Sequence, residues 1–201
     1  MSWPKLARMH FPKKLLGLLA LLVVAALARA QDQLELPGEV SQWFVNRDGS
    51  CVQCSISNCG VWQNVPQAST LLFDSDYGPR VRGGSGPSRV EAYAERRKIP
   101  CYNVTGKDTF DWMRWAARTG RMAAIGCFGS HFQTLLWHDP AAAARGEACW
   151  FVRNNWQGTT GTHYAWDEDT FRRHHLASGQ WIVVLKTPSP PLPPVYVEWW
   201  R

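Results

Sequence analysis

The spacing of apolar side chains changes along this chain, and the changes mark its elements. Over 108–118, Phe110, Met113 and Ala117 share one helical face, Asp108 stands where a cap belongs and Gly120 follows the end, which predicts a helix. Another is expected to begin near Cys51, capped by Ser50 or Asp48 and stopped by Gly60, with a further turn or two over 66–72. Residues 78–87, GPRVRGGSGP, read as a turn-rich loop that hands over to an amphipathic helix at 88–98 and a strand at 99–104. Strand-like runs follow at 122–128, 132–138 and 149–153, then a helix at 167–175 and a strand at 181–186. The stretch TPSPPLPP is extended and polyproline-like, a tail or surface strap. Helices first and an antiparallel sheet after them predict an α+β fold.

The first 30 residues are of a different kind. Lys5, Arg8, Lys13 and Lys14 precede an apolar run at 15–28 that ends in Ala28-Arg29-Ala30, the pattern of a cleaved secretory signal. The run is shorter than the roughly 20 residues a membrane-crossing helix needs, so export is expected, with no stable membrane span beyond the signal. The 201-residue chain carries a net charge of +6, but the segment holds five of its 22 basic residues and none of its 16 acidic ones. The remainder, 17 basic against 16 acidic, is +1, which gives no support to nucleic-acid binding. The organisation expected is a signal at 1–30, a lead-in at 31–47, a domain at 48–187 and a Pro-rich tail at 188–201. One domain of this size can bury a real core. Twelve tryptophans are read as core and cleft filling.

Three of the six cysteines lie in GSCVQCSISNCG, residues 49–60. A thiol in the first turn of a helix faces unpaired N–H groups and the positive end of the dipole, which favour the thiolate; Cys51 has that placement. Downstream, 132–138 and 149–153 are expected to pair as a hairpin through a turn at 139–146. If His138 faces Glu147, the constant index sum of an antiparallel pair brings His131 opposite Asn154. The amide oxygen would accept the Nδ1 proton and leave Nε2 for the thiol. Cys51, His131 and Asn154 would then be nucleophile, general base and acid, and orienter.

These residues carry a resemblance. GSCVQCS at 49–55 is similar to the G-S-C-W-A-F-S around the nucleophile of papain-like cysteine peptidases, SHFQTLLWHD at 130–139 to their histidine strand, and WFVRNNW at 150–156 to Y-W-I-V-K-N-S-W. The chain most resembles compact bacterial members of the bacteriocin-processing type. The resemblance implies a papain-like fold, with the nucleophile helix of an N-terminal helical part packed on a C-terminal antiparallel sheet. It implies that Trp156 shields the His–Asn pair and that the substrate is a peptide or protein. Two positions depart from the family pattern. Val45 stands six residues before Cys51, where the family has the glutamine that holds the oxyanion, leaving Asn46 and Gln42 as candidates, and Val52 replaces the usual tryptophan.

Rival readings attach to most of these positions. Cys54, one turn along, is the alternative nucleophile; Asn155, and more remotely Asp139, are alternative orienters. His138, an odd seven steps from His131, is expected on the opposite sheet face, and His163, His174 and His175 read as surface or loop groups. A zinc site would need a second close pair of ligands, whereas Cys101, Cys127 and Cys149 stand alone in the sequence, so no metal and no cofactor are expected. The Gly83-Gly84-Ser85-Gly86 loop reads as a surface turn, with the border of a substrate cleft as the alternative, and the Asn103-Val104-Thr105 sequon matters only in a glycosylating host. The function expected is an exported monomeric cysteine peptidase. An inactive papain-fold scaffold and a cell-wall peptide amidase are the alternatives.

Overall fold

The computed structural model describes residues 44–46, 49–78, 84–156 and 163–188, all within one compact unit, Asp32–Arg201. The signal segment, most of the lead-in with Gln42, Asp48, residues 79–83 of the loop, and the tail from 189 lie outside the described residues.

The first helix, α1, spans Cys51–Trp62, followed by the short α2 (Pro66–Ser69), two 3-10 turns (Leu71–Phe73 and Ser75–Tyr77) and α3 (Pro87–Arg96). Strand β1 (Cys101–Thr105) precedes α4 (Thr109–Arg118), β2 (Ala123–Cys127) and β3 (His131–His138). Then come α5 (Pro140–Ala144), β4 (Trp150–Arg153), β5 (His163–Trp166), α6 (Glu168–Leu176) and β6 (Trp181–Leu185). The six strands form one antiparallel sheet in the order β1-β6-β2-β3-β4-β5, so the α+β class is the one expected.

Both faces of the sheet are covered, and β6 shows how. Trp181, Val183 and Leu185 pack with Val52, Ile56 and Tyr93 of α1 and α3, while Ile182 and Val184 pack with Phe110, Met113 and Phe171 of α4 and α6. A strand buried on two sides needs a continuous apolar run rather than alternation, and WIVVL supplies it.

Helix α1 is enclosed almost all round, with Val61 the exception, although it carries Gln53, Ser55, Ser57 and Asn58. Buried polar groups must find partners. Asn58 accepts from the Phe44 amide at 2.9 Å, and Ser57 Oγ accepts from the Leu72 amide at 3.0 Å. Gly60 does not stop the helix. It sits inside the helix because α2 crosses there: a Cβ at position 60 would lie 2.3 Å from the Ser69 nitrogen.

The β3–β4 hairpin departs from the expected pairing. The segment at 139–146 contains α5, whose start is capped by Asp139 through the Ala141 and Ala142 amides. His138 therefore pairs with Trp150 rather than Glu147. A bulge between Leu135 and Trp137 then shifts the register again, so that Thr134 pairs with Arg153. Leu136 and Trp137 both pack toward α1, and His138 returns to the face that Leu135 occupies. The bulge adds one residue to the count between Leu135 and His138.

Candidate active site

Segment 154–156, directly after β4, organises the site. The Asn46 N–H donates to the Asn155 carbonyl at 2.6 Å, and Asn46 forms a parallel bridge with Trp156. Asn155 Nδ2 donates to the Cys51 carbonyl at 3.0 Å and to Ser55 Oγ at 2.7 Å. The end of β4 is thereby tied both to the chain entering α1 and to the first turn of α1. Ser50 makes no side-chain cap. Its N–H is held instead by Asn46 Oδ1 at 2.8 Å, and its hydroxyl also reaches that oxygen, at 3.3 Å.

His131 opens β3 after a turn in which Phe128 and Gly129 both take positive φ. Its Nε2 lies 2.9 Å from Asn154 Oδ1. The Trp156 N–H donates to the same oxygen at 3.0 Å, which identifies it as the acceptor end of the amide. Nε2 must then carry the proton, and Nδ1 is the basic nitrogen of the neutral ring. This reverses the tautomer expected from the sequence. The shifted register has moved Asn154 away from direct pairing with His131, and the ring reaches it with the more distant of its nitrogens. Asn154 Nδ2 approaches the Tyr164 hydroxyl at 3.5 Å. The Trp156 ring lies 5.0 Å from the imidazole, tilted by 45°, with 57% of its surface exposed.

Cys51 and His131 line one cavity of about 230 Å³, together with Val52, Gly84, Ser85 and Trp181. The Cys51 sulfur lies against the backbone N–H of Phe132, the residue after His131. Burial pushes the Cys51 thiol above its ordinary value, and the N–H groups of Phe132, Val52 and Cys51 itself oppose that in part. Burial also lowers His131, against the opposing effect of the Asn154 bond. Both shifts favour the uncharged forms, so thiol and neutral imidazole are the preferred resting state.

Cys54 is fully buried, is absent from the cavity lining, and lies within electrostatic reach of the buried Arg153 guanidinium. The structure therefore separates the two cysteines of Cys51-x-x-Cys54. None of the six cysteines is joined in a disulfide. Gly84 and Ser85, read as a surface turn with a cleft border as the alternative, line the cavity, and the Tyr77 hydroxyl bonds Ser85 Oγ. His175 is not a surface group. It is buried, with Nδ1 at 2.8 Å from the Gly126 carbonyl and Nε2 at 2.8 Å from Thr109 Oγ1. Of the oxyanion candidates, Asn46 is beside the start of α1, and Gln42 lies outside the described residues. Asn155, weighed in the sequence only as a substitute for Asn154, proves to be the clamp. Its signal was the Asn-Asn pair itself, in which both amides have work.

No family model matches the sequence, and no curated protein does. Among solved structures the chain is similar to a double glycine motif protease from an AMS/PCAT transporter, determined in complex with the leader peptide. The two are 15% identical, with a TM-score of 0.49, over 73% of this chain and 89% of that one.

Proposed function

We propose that this chain is a papain-like cysteine peptidase that is exported and hydrolyses an amide bond in a peptide through Cys51, His131 and Asn154. The observation that carries the reading is the shared cavity, with the Cys51 sulfur beside the Phe132 amide and the neighbouring imidazole held at 2.9 Å by Asn154. As substrate enters, His131 Nδ1 takes the thiol proton while sulfur adds to the carbonyl carbon. The imidazolium then protonates the leaving amine, and the acyl group stays on sulfur. Water, deprotonated by the same nitrogen, adds to the thioester; as the intermediate collapses and the acid is released, the imidazolium returns that proton to the departing Cys51 sulfur. Asn154 keeps the proton on Nε2 throughout, so that Nδ1 alone cycles.

The oxyanion faces the backbone N–H of Cys51 and Nδ2 of Asn46. The Asn46 amide oxygen is engaged by Ser50, which makes its nitrogen the end that can donate. Asn46 thus substitutes for the glutamine that Val45 replaces, and its loss would lower the rate by 10²–10³-fold, as removal of one oxyanion donor typically does. The signal pattern at 1–30 supports export.

Val45 also supports a second reading, a papain-fold scaffold that binds peptide without turnover. Purified protein given casein and, separately, isolated muropeptides distinguishes these. Cleavage of casein, lost in Cys51→Ala and in His131→Ala, is the expected result. Turnover of muropeptides alone would identify a cell-wall amidase. No turnover of either, with no acyl-enzyme trapped by mass spectrometry, would overturn the peptidase reading in favour of the scaffold.

A further inference from the structure

Cys149 stands alone in the sequence but not in the fold. It immediately precedes β4, where its carbonyl accepts the Asp139 amide and its own N–H donates to the Trp166 carbonyl, both at 2.8 Å. Across the hairpin, His138 ends β3 opposite Trp150. Glu168 begins α6, whose N-terminus Asp167 caps through the Thr170 amide. These three elements meet so that the His138 nitrogen, the Cys149 sulfur and a Glu168 carboxylate oxygen all lie within 4.8 Å of one another.

We propose that His138, Cys149 and Glu168 form a binding site for a thiophilic divalent cation of the zinc class. One sulfur, one imidazole nitrogen and one carboxylate oxygen are a borderline-soft set that suits zinc, and water would complete a tetrahedron. Zinc bonds of about 2.0–2.3 Å put tetrahedral ligand atoms roughly 3.5 Å apart, so the three groups need to close by about an ångström.

The surroundings already hold the ligands in place. Trp150 Nε1 donates to Glu168 Oε2 at 2.7 Å, the same oxygen that lies 3.7 Å from His138 Nε2. The His138 ring packs on the Trp150 indole at 4.1 Å. Arg114 pairs with the other oxygen, Oε1, and Arg172 stands 3.9 Å from it. Both cations thus orient the carboxylate from the side away from His138, in the way outer partners orient metal ligands. Cys149 is fully buried, and His138 and the Glu168 side chain are 8% and 30% exposed, so the carboxylate is the most exposed of the three groups. Burial and the carboxylates of Glu168, Asp167 and Asp139, opposed by Arg114, push the thiol up to about 11. A cation between sulfur and carboxylate would reverse that penalty. Binding transfers the thiol proton to solvent and leaves thiolate on the metal.

The site is at the far end of β3 from His131, seven residues and about 23 Å away at strand rise. An ion there would staple the hairpin end to α6 and take no part in peptide chemistry, so the inference stands apart from the proposed activity.

The test uses the full chain, stripped with a chelator and titrated with Co²⁺ as a spectroscopic probe. Expected are one ion per chain, a thiolate-to-cobalt charge-transfer band, release of one proton per ion, and displacement of the cobalt by zinc. Cys51→Ser should retain the band, Cys149→Ser should lose it, and His138→Ala and Glu168→Gln should each weaken binding at least tenfold while leaving peptide turnover unchanged. Persistence of the band in Cys149→Ser, its loss in Cys51→Ser, or no binding at micromolar cobalt would overturn the site. If Cys149→Ser does not fold, X-ray absorption of the zinc-loaded wild type decides. A single sulfur neighbour with nitrogen and oxygen supports the site, and several sulfurs or none refutes it.

Discussion

Asn155→Ala probes the clamp between β4 and the nucleophile helix. The side chain is almost completely buried and donates two hydrogen bonds, one to the Cys51 carbonyl and one to Ser55 Oγ. Each contributes about 1 kcal/mol net, and removal also strands the fully buried Ser55 hydroxyl, at about 1 kcal/mol more. One term acts in the other direction. Asn155 Oδ1 is buried with no hydrogen-bond partner among the described residues, and the truncation removes that defect. The balance is a loss of about 2 kcal/mol, which for a domain of this size lowers Tm by roughly 4–8 °C. Because Asn155 touches no reacting atom, its catalytic effect arises from the position of Cys51 and falls on kcat more than on KM. Urea unfolding of wild type, Asn155→Ala, Ser55→Ala and the double variant measures the bond directly, with an expected coupling of about 1 kcal/mol between positions 155 and 55. A single-variant loss below about 0.5 kcal/mol with unchanged kcat would refute the clamp, since that is what a surface substitution gives.

Gly60→Ala should destabilise by about 3 kcal/mol or prevent folding, because the added carbon would meet backbone atoms of Ala68 and Ser69 that cannot turn aside; wild-type stability in urea would contradict the packing. His131 and His175 both have their pKa lowered by burial from an ordinary value of 6.5. The unfolded chain therefore takes up protons first as pH falls, and stability, complete above pH 6.5, declines below it. Denaturant midpoints at several pH values test this, and His175→Gln should flatten the decline while lowering stability at neutral pH. Trp156→Ala should rehydrate the imidazole and move the acidic limb of kcat upward toward 6.5; an unmoved limb would deny the indole its shielding role. Cys51 alkylation by iodoacetamide should keep rising with pH through 9.0, since burial raises that thiol above its ordinary value, and a plateau near neutrality would mean that the resting pair is charged.

Much of the fold was legible because its signals are local. The apolar run at Trp181–Leu185 marks a doubly covered strand, and Phe110 and Met113 mark the buried side of α4. What escaped depends on the third dimension. Gly60 reads as a helix stop and is a helix crossing, for only the approach of Ser69 gives its missing side chain a meaning. The hairpin register rested on a turn at 139–146, and neither α5 nor the bulge after Leu135 has a periodic signature. Strand β5, four residues long, was too short to register as alternation. The candidate site was more legible than the register that was meant to build it: Asn154 still meets His131, though through Nε2, because a long side chain absorbs a two-residue shift. Cys149 looked solitary for the same reason that Glu168 looked like a plain helix start. Their neighbours are 11 to 30 residues away in sequence.

The most direct measurement is the rate at which an epoxysuccinyl peptide modifies Cys51, with the modified residue mapped by mass spectrometry, in wild type, His131→Ala and Asn154→Ala. Selective reaction at Cys51 is expected in wild type. His131→Ala should slow it by about 10²–10⁴-fold, the usual contribution of a positioned base, and Asn154→Ala by less, with Cys54 unmodified in all three. Equal slow labelling of several cysteines, or a Cys51 rate indifferent to the loss of His131, would contradict the pairing of that thiol with that imidazole.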